Sequence, residues 1–396
     1  MEVIVYDLEL HYKQYPRRYK LKVWGCTLYS SGGLIMNYHV GSNDNMRSHF
    51  KSKIRRLQRI SINRLAYEIV KDMIRNASKL NLKVLELKNG TTVIDAGVNA
   101  TGGYKVAELV VKISLGGLGE ARVTSMVLDR DFCLPAIMAY TDYPAVIGLA
   151  MYVWIGIVNA PHVETGGYTA WVSGPGRAKA REPEKVFKKI DYNDPADVAV
   201  LIVQPRGKEL PPVKFANFLA KKCKVNPENL YLVVTPTYSI TGSVQVSARS
   251  LEDWFWRLTE YYKIPYHRIE NVMTMTAVAP ISPDVFKKPC AWADDMIRYG
   301  SSVHAWIYSE EGEDLQRIVK ETVIESYPEV YGKSFYDIAV LEKKYIYPSL
   351  DLEKIAETGR GFIVAQATIY DTRTGLAYRA GRIHVDILKR LLRKPW

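Results

Sequence analysis

The sequence predicts a mixed α/β (α+β) fold, and three observations carry that prediction. Asp197–Val203 and Leu230–Thr235 are unbroken apolar runs separated by a helix-like stretch from Pro212 to Cys223, the pattern of a βαβ unit with buried strands. Hairpin signals stand near both ends of the regular part of the chain. The length of 396 residues exceeds one typical domain, and 47% hydrophobic against 24% charged residues is a globular composition.

Residues 1–60 have no clean periodicity. Tyr12, Tyr15, Tyr19 and Trp24 are scattered among Arg17, Arg18, Lys20 and Lys22, and a basic run follows at 51–56. The segment reads as a basic N-terminal appendage, disordered or not translated, with no signal-peptide pattern. From Ser61 the text becomes regular. Leu65, Ala66, Ile69, Val70, Met73, Ala77 and Leu80 recur at helical spacing, with Ser61 as N-cap. Val84–Leu87 and Thr91–Ile94 flank Asn89-Gly90, a hairpin signal. Strands are predicted at 121–128 and 134–141. The fourteen apolar residues Ala145–Val158 are too few to span a bilayer and predict a buried helix. After the glycine-rich loop Ser173–Gly176, helix-like text runs to Lys189. A helix is predicted over 247–262 with Ser247 as its cap, a strand at 303–308 and a helix at 315–324. A hairpin over 362–383 and a last helix over 385–392 end the chain. The expected domains are 61–185 and 186–396, with exchange of segments between them allowed.

Charge excludes less than it first suggests. The net is +12, but residues 1–60 hold eleven Lys/Arg against four Asp/Glu, which leaves +5 for residues 61–396. A body so mildly basic suits a small anionic ligand as well as a nucleic acid. The four cysteines, Cys26, Cys133, Cys223 and Cys290, are far apart and form no CxxC. Reduced thiols and a cytoplasmic location are the expectation. The seven histidines show no HxH or HExxH, so no metal is expected. GxxxxGK[ST], a strand-borne GxGxxG and GxSxG are also missing from the sequence, which removes the usual nucleotide and serine-hydrolase signatures.

Some loops nevertheless offer chemistry. Ser173, Gly174 and Arg177 combine backbone N–H groups with a guanidinium suited to a phosphate or carboxylate, and Gly102-Gly103 precedes a helix in a similar way. Between the run 230–235 and the helix expected after Ser247 lies a Thr/Ser/Gly-rich segment. Its Thr237, Ser239, Ser243 and Gln245 are candidate hydrogen-bond partners for a ligand, because strand ends followed by polar loops are where α/β proteins place ligands. Arg249 and Glu252 follow at a spacing of three, which puts them on one helix face. That spacing alone is equally that of a surface ion pair.

Ordered blocks over residues 61–396 resemble the methenyltetrahydromethanopterin cyclohydrolases, archaeal-type one-carbon enzymes. They include Asn89–Asp95, Gly102-Gly103-Tyr104, Leu115–Leu118, Cys133–Ala136 and Ser173-Gly-Pro175 with Arg177. Asn226–Asn229, Gly242–Arg249 with Glu252, Ala279-Pro-Ile281 and Ala380-Gly381 continue the order. The resemblance implies a homotrimer of two-lobed α/β subunits with a ligand cleft between the lobes. It also implies a pterin substrate, no metal and no separate cofactor. In the family's Ser-Ala-Arg-x-x-Glu element the arginine and glutamate are the catalytic pair, and they match Arg249 and Glu252. The implied reaction is reversible hydrolysis of the methenyl bridge of a reduced pterin to the 5-formyl compound. Two other readings stay open at this point: a pterin-binding paralogue without turnover, and a basic nucleic-acid-binding protein.

Overall fold

The computed structural model describes residues 22–23, 26–27, 53–158, 160–281, 287–338 and 352–393. The chain divides into two compact units, Met1–His49 and Phe50–Trp396. In the first, the described residues form the two-residue strands β1 (Lys22–Val23) and β2 (Cys26–Thr27), paired antiparallel. The rest of the expected appendage, up to residue 52, lies outside the described residues. Residues 53–60, read with the appendage, belong to the second unit. Leu57 is buried in the main core, and Lys53 Nζ donates to the Glu270 carbonyl at 2.8 Å.

The second unit contains two sheets. The smaller has the order β3-β4-β9-β8-β7, with β3 Lys83–Glu86, β4 Thr92–Asp95, β7 Ala170–Ser173, β8 Ala199–Pro205 and β9 Leu230–Val234. The antiparallel β3–β4 hairpin turns at Asn89-Gly90, and β8 and β9 run parallel. Strands β8 and β9 are apolar except for Gln204 and the half-buried Tyr231, because both faces are covered. Leu201, Val203, Leu232 and Val234 meet the helix Val213–Cys223 on one side. Val200, Ile202 and Val233 meet the helices Ile62–Arg75 and Tyr104–Ser114 on the other. Ser61 caps the first of these helices by accepting from Arg64 N.

The larger sheet has the order β13-β12-β11-β10-β6-β5, with β5 Gly119–Asp129, β6 Phe132–Thr141, β10 Ile269–Ala277, β11 Ser301–Ile307, β12 Gln366–Asp371 and β13 Ala377–Gly381. Its strands alternate: Ser301, Val303, Ala305 and Ile307 are buried and the residues between them are not, so one face carries the core. The sequence reading passed over β10 and the helix Lys287–Gly300. Each sheet takes strands from both sides of residue 185. No helix among the described residues is long and apolar enough to cross a membrane.

Two expected elements are corrected. Residues 145–152 are buried, but 145–158 do not form one helix. A five-residue π-helical turn, Ile147–Met151, ends where Tyr152 turns extended (φ −52°, ψ 138°), and Trp154 N then bonds Val172 O on β7 at 2.7 Å. Pairing with the sheet edge overrides helix propensity here. The helix expected over 247–262 with Ser247 as its cap begins at Ser250 and continues into the π-helical turn Arg257–Tyr261, and a further helix, Ile240–Ser247, precedes it. The cap of that preceding helix is Ser239, whose Oγ accepts from Gly242 N. Ile240–Ser247 and Ser250–Trp256 are separate helices joined at Ala248-Arg249.

A chain beginning at Met46 is expected to melt and turn over like the full chain, since Phe50 starts the second unit. A chain beginning at Ser61 loses Leu57 from the core, and removing one buried large aliphatic costs about 2–5 kcal/mol. Thermal melts of both forms test this, and equal melting points would contradict it.

Candidate active site

The broken segment 147–153 explains how a charged pair is held inside the protein. Where its helix ends, backbone groups lose their helical partners and must find others. Met151 O accepts from Arg249 Nη1 at 2.9 Å, and Val153 N donates to Glu252 Oε1 at 2.7 Å. Arg249 Nη1 also pairs with Glu252 Oε2, and Arg249 Nη2 donates to Ser173 Oγ at 2.7 Å. Both side chains are buried, Arg249 at 9% and Glu252 at 6% exposure, so they are not the surface ion pair that the spacing alone allowed. Every contact of the pair is to a group fixed by a turn or a strand end, which makes the carboxylate a placed one rather than a mobile one.

The pair opens on a cleft of about 780 Å³. Its walls carry Trp154, Trp171, Trp256, Phe335 and Phe362, with Trp256 stacked on Phe362 at a centroid distance of 4.1 Å. Such walls suit a flat, largely apolar ring system with a few directed polar contacts. The cleft mixes both kinds of charged side chain: Arg177, Lys185, Arg206, Arg249 and Arg298 line it with Glu182, Glu252, Asp253, Glu260 and Asp294. That mixture of charges fits a ligand whose own charge changes better than it fits a polyanion.

Arg177 is fully buried. Nη1 donates to Gly148 O and Nη2 to Glu182 O, each at 3.0 Å. Burial lowers its pKa to about 10, against the opposing pull of Glu252, so it stays protonated at neutral pH. Asp253, half-buried beside Glu252, has its carboxyl held well above the usual carboxylate range by burial and by the neighbouring Glu252 and Asp294.

The other sequence candidates occupy different places. Ser173 reaches the pair through Arg249. Gln245 stands behind the wall, its Nε2 donating to Gln204 Oε1 at 2.9 Å, and Gln204 lines the cleft. Ser243 Oγ donates to Ala279 O, and Ser239 Oγ to Pro236 O, both at 2.7 Å. Thr237 is buried and does not line the cleft. Gly102, at φ 57°, and Gly103 dock on the Ile240–Ser247 helix, with Gly103 N donating to Thr241 Oγ1 at 3.1 Å. Gly174 packs on β8, and its N–H holds Ala150 O at 2.7 Å. Of the candidates read from the sequence, Arg177, Arg249 and Glu252 are the ones on the cleft wall. The sequence reading missed the aromatic walls, Arg298 and Asp253. Asp253 adjoins Glu252 in the motif and was within reach; the others are too scattered along the chain to be seen together.

A family model described as cyclohydrolase (MCH) matches residues 61–391. The chain belongs to the MCH cyclohydrolase family. This member is 34% identical over 336 residues to the methenyltetrahydromethanopterin cyclohydrolase of Methanocaldococcus jannaschii, covering 84% of this chain and 98% of that protein. It is 35% identical over 337 residues to the enzyme of that name from Methanococcus vannielii, covering 84% and 98%. The Methanothermobacter marburgensis enzyme of the same name is 34% identical over 332 residues, covering 83% and 98%. As a cyclohydrolase this chain is an enzyme of the hydrolase class, and the cleft with its buried Arg249–Glu252 pair is its candidate active site.

Proposed function

We propose that this cyclohydrolase reversibly hydrolyses the methenyl bridge of methenyltetrahydromethanopterin, or of a closely related pterin carrier, to the 5-formyl compound. The observation that carries the reading is the buried Arg249–Glu252 pair opening on an aromatic-walled cleft. The substrate's methenyl carbon bridges two nitrogens in an amidinium-like cation. Water adds to that carbon and loses a proton to Glu252. One carbon–nitrogen bond then opens, the freed nitrogen takes up a proton, and the carbon remains on the other nitrogen as a formyl group. The balance is cation plus water giving neutral formyl pterin plus one released proton. Glu252 keeps lone pairs for the water although Val153 N–H and Arg249 already bind its oxygens. Arg249 fixes the carboxylate's position.

The same reading carries an active enzyme rather than a silent paralogue, a cytoplasmic location and a homotrimeric state. The retained pair, the scattered cysteines and the family resemblance support these in turn. Loss of methenyl-pterin absorbance on adding purified protein is the expected result, and the absence of any turnover would overturn the assignment.

Metal-free catalysis is part of the proposal, because the cationic electrophile needs no Lewis acid. Prolonged treatment with a chelator is expected to leave the rate unchanged. A loss restored by zinc or another divalent cation would contradict it.

A further inference from the structure

Recognition of a pterin ring sets a definite chemical demand. The 2-amino-4-oxopyrimidine edge presents two neighbouring donors, N3–H and the 2-amino group, beside one acceptor, the 4-oxo oxygen. Its complement is a carboxylate with free lone pairs next to an N–H donor. Most charged groups of the cleft are already spent. Glu252 holds Val153 and Arg249, Glu182 accepts from Trp154 and Lys222, and Glu260 accepts from Lys189 and Tyr266.

Two groups are not. Asp253 lines the cleft, and its carboxyl has no hydrogen bond among the described residues. Arg298, 2% exposed, also lines it. Arg298 Nη1 reaches the Gly359 and Arg360 carbonyls at 3.4 and 3.2 Å, but Nε and Nη2 have no partner among the described residues. The Tyr299 hydroxyl close by turns to the Val330 and Lys333 carbonyls. A buried guanidinium with three unused N–H groups is costly unless a ligand satisfies them. Acceptor and donor line the same cleft, and the Arg298 charge acts on the Asp253 carboxyl.

We infer that Asp253 and Arg298 read the pyrimidine edge of the pterin, Asp253 accepting from N3–H and the 2-amino group and Arg298 donating to the 4-oxo oxygen. The inference rests on the pterin reading above and adds the residues that select the ring. It has a consequence in pH. The groups acting on Asp253 are Glu252 and Asp294, which favour its protonated form as burial does, and Arg249 and Arg298, which oppose it. Accepting two donors requires the ionised form. Pterin binding therefore releases a proton, and affinity rises as pH rises through the titration of Asp253 in the free enzyme.

The test is equilibrium binding of 5-formyltetrahydromethanopterin and of its 2-oxo analogue to wild type, Asp253→Asn and Arg298→Lys across pH, with kcat and KM measured beside it. Asp253→Asn is expected to weaken binding by about 10- to 100-fold, mostly through KM. It should also flatten the pH dependence and remove the preference for the 2-amino ring. Arg298→Lys is expected to weaken binding while keeping that preference. A purely structural role would move the melting point and leave the slope and the preference in place. Wild type that binds and turns over the pterin but shows neither the slope nor the preference overturns this inference alone, whether or not the variants fold. Wild type that neither binds nor turns over the pterin overturns the functional reading and this inference with it.

Discussion

Glu252→Gln is expected to lower turnover by about 10²–10⁴-fold while pterin binding survives. The glutamine keeps the shape and can still accept one of the two hydrogen bonds, from Val153 N or from Arg249. What it loses is the ability to take a proton from water at the methenyl carbon. Because the change acts on the chemical step, kcat should fall and KM should move little. Arg249→Ala should also slow turnover, by a second route. It leaves Ser173 Oγ and Met151 O without their donor and the buried Glu252 without its cation. Removing one partner of a buried ion pair costs about 3–5 kcal/mol, so this variant should melt earlier as well. Near-normal turnover in Glu252→Gln would show that the pair is structural and that another group deprotonates the water.

Gly242→Ala is expected to destabilise the protein by more than about 3 kcal/mol, although local rules give the opposite sign. Gly242 lies in the third position of the Ile240–Ser247 helix, where alanine would ordinarily gain about 0.5–1 kcal/mol. A Cβ there would come within 2.0 Å of Pro236 O and 2.4 Å of Pro236 C, which are backbone atoms with no rotamer to change. The helix would have to withdraw from the end of β9, and Arg249 follows two residues after its end. Chemical denaturation of the purified variant checks the stability, and turnover of any folded fraction checks the coupling to the site. A variant as stable as wild type would mean that the close approach is easily relieved.

Where a signal was local, the sequence carried it to the fold. Asn89-Gly90 between β-rich runs became the β3–β4 turn, and Ser61 became the cap of the first long helix of the second unit. The apolar runs at 197–203 and 230–235 became the parallel strands β8 and β9. The spacing of Arg249 and Glu252 put them on one turn, and the ordered blocks around them pointed to the family. Each of these depends on neighbours within a few residues or on a pattern written along the chain. The segments that went differently are those where a distant partner outweighs a local preference. Residues 145–158 are apolar enough for a helix, yet β7 captures Trp154. The polar run 237–247 reads as a loop, yet it folds as a buried helix because Ala279 O, Gln204 and Pro236 O satisfy its side chains. Whether Arg249–Glu252 was a surface pair or a buried one was likewise undecidable from spacing, since burial comes from residues 148–177 closing over it. The sequence by itself determined the family, most of the strands and the pair. Tertiary structure alone decided that a broken helix supplies the pair's backbone partners, and that aromatic residues from Trp154 to Phe362 meet around it. Those contacts join residues far apart in the chain, and no local pattern encodes them.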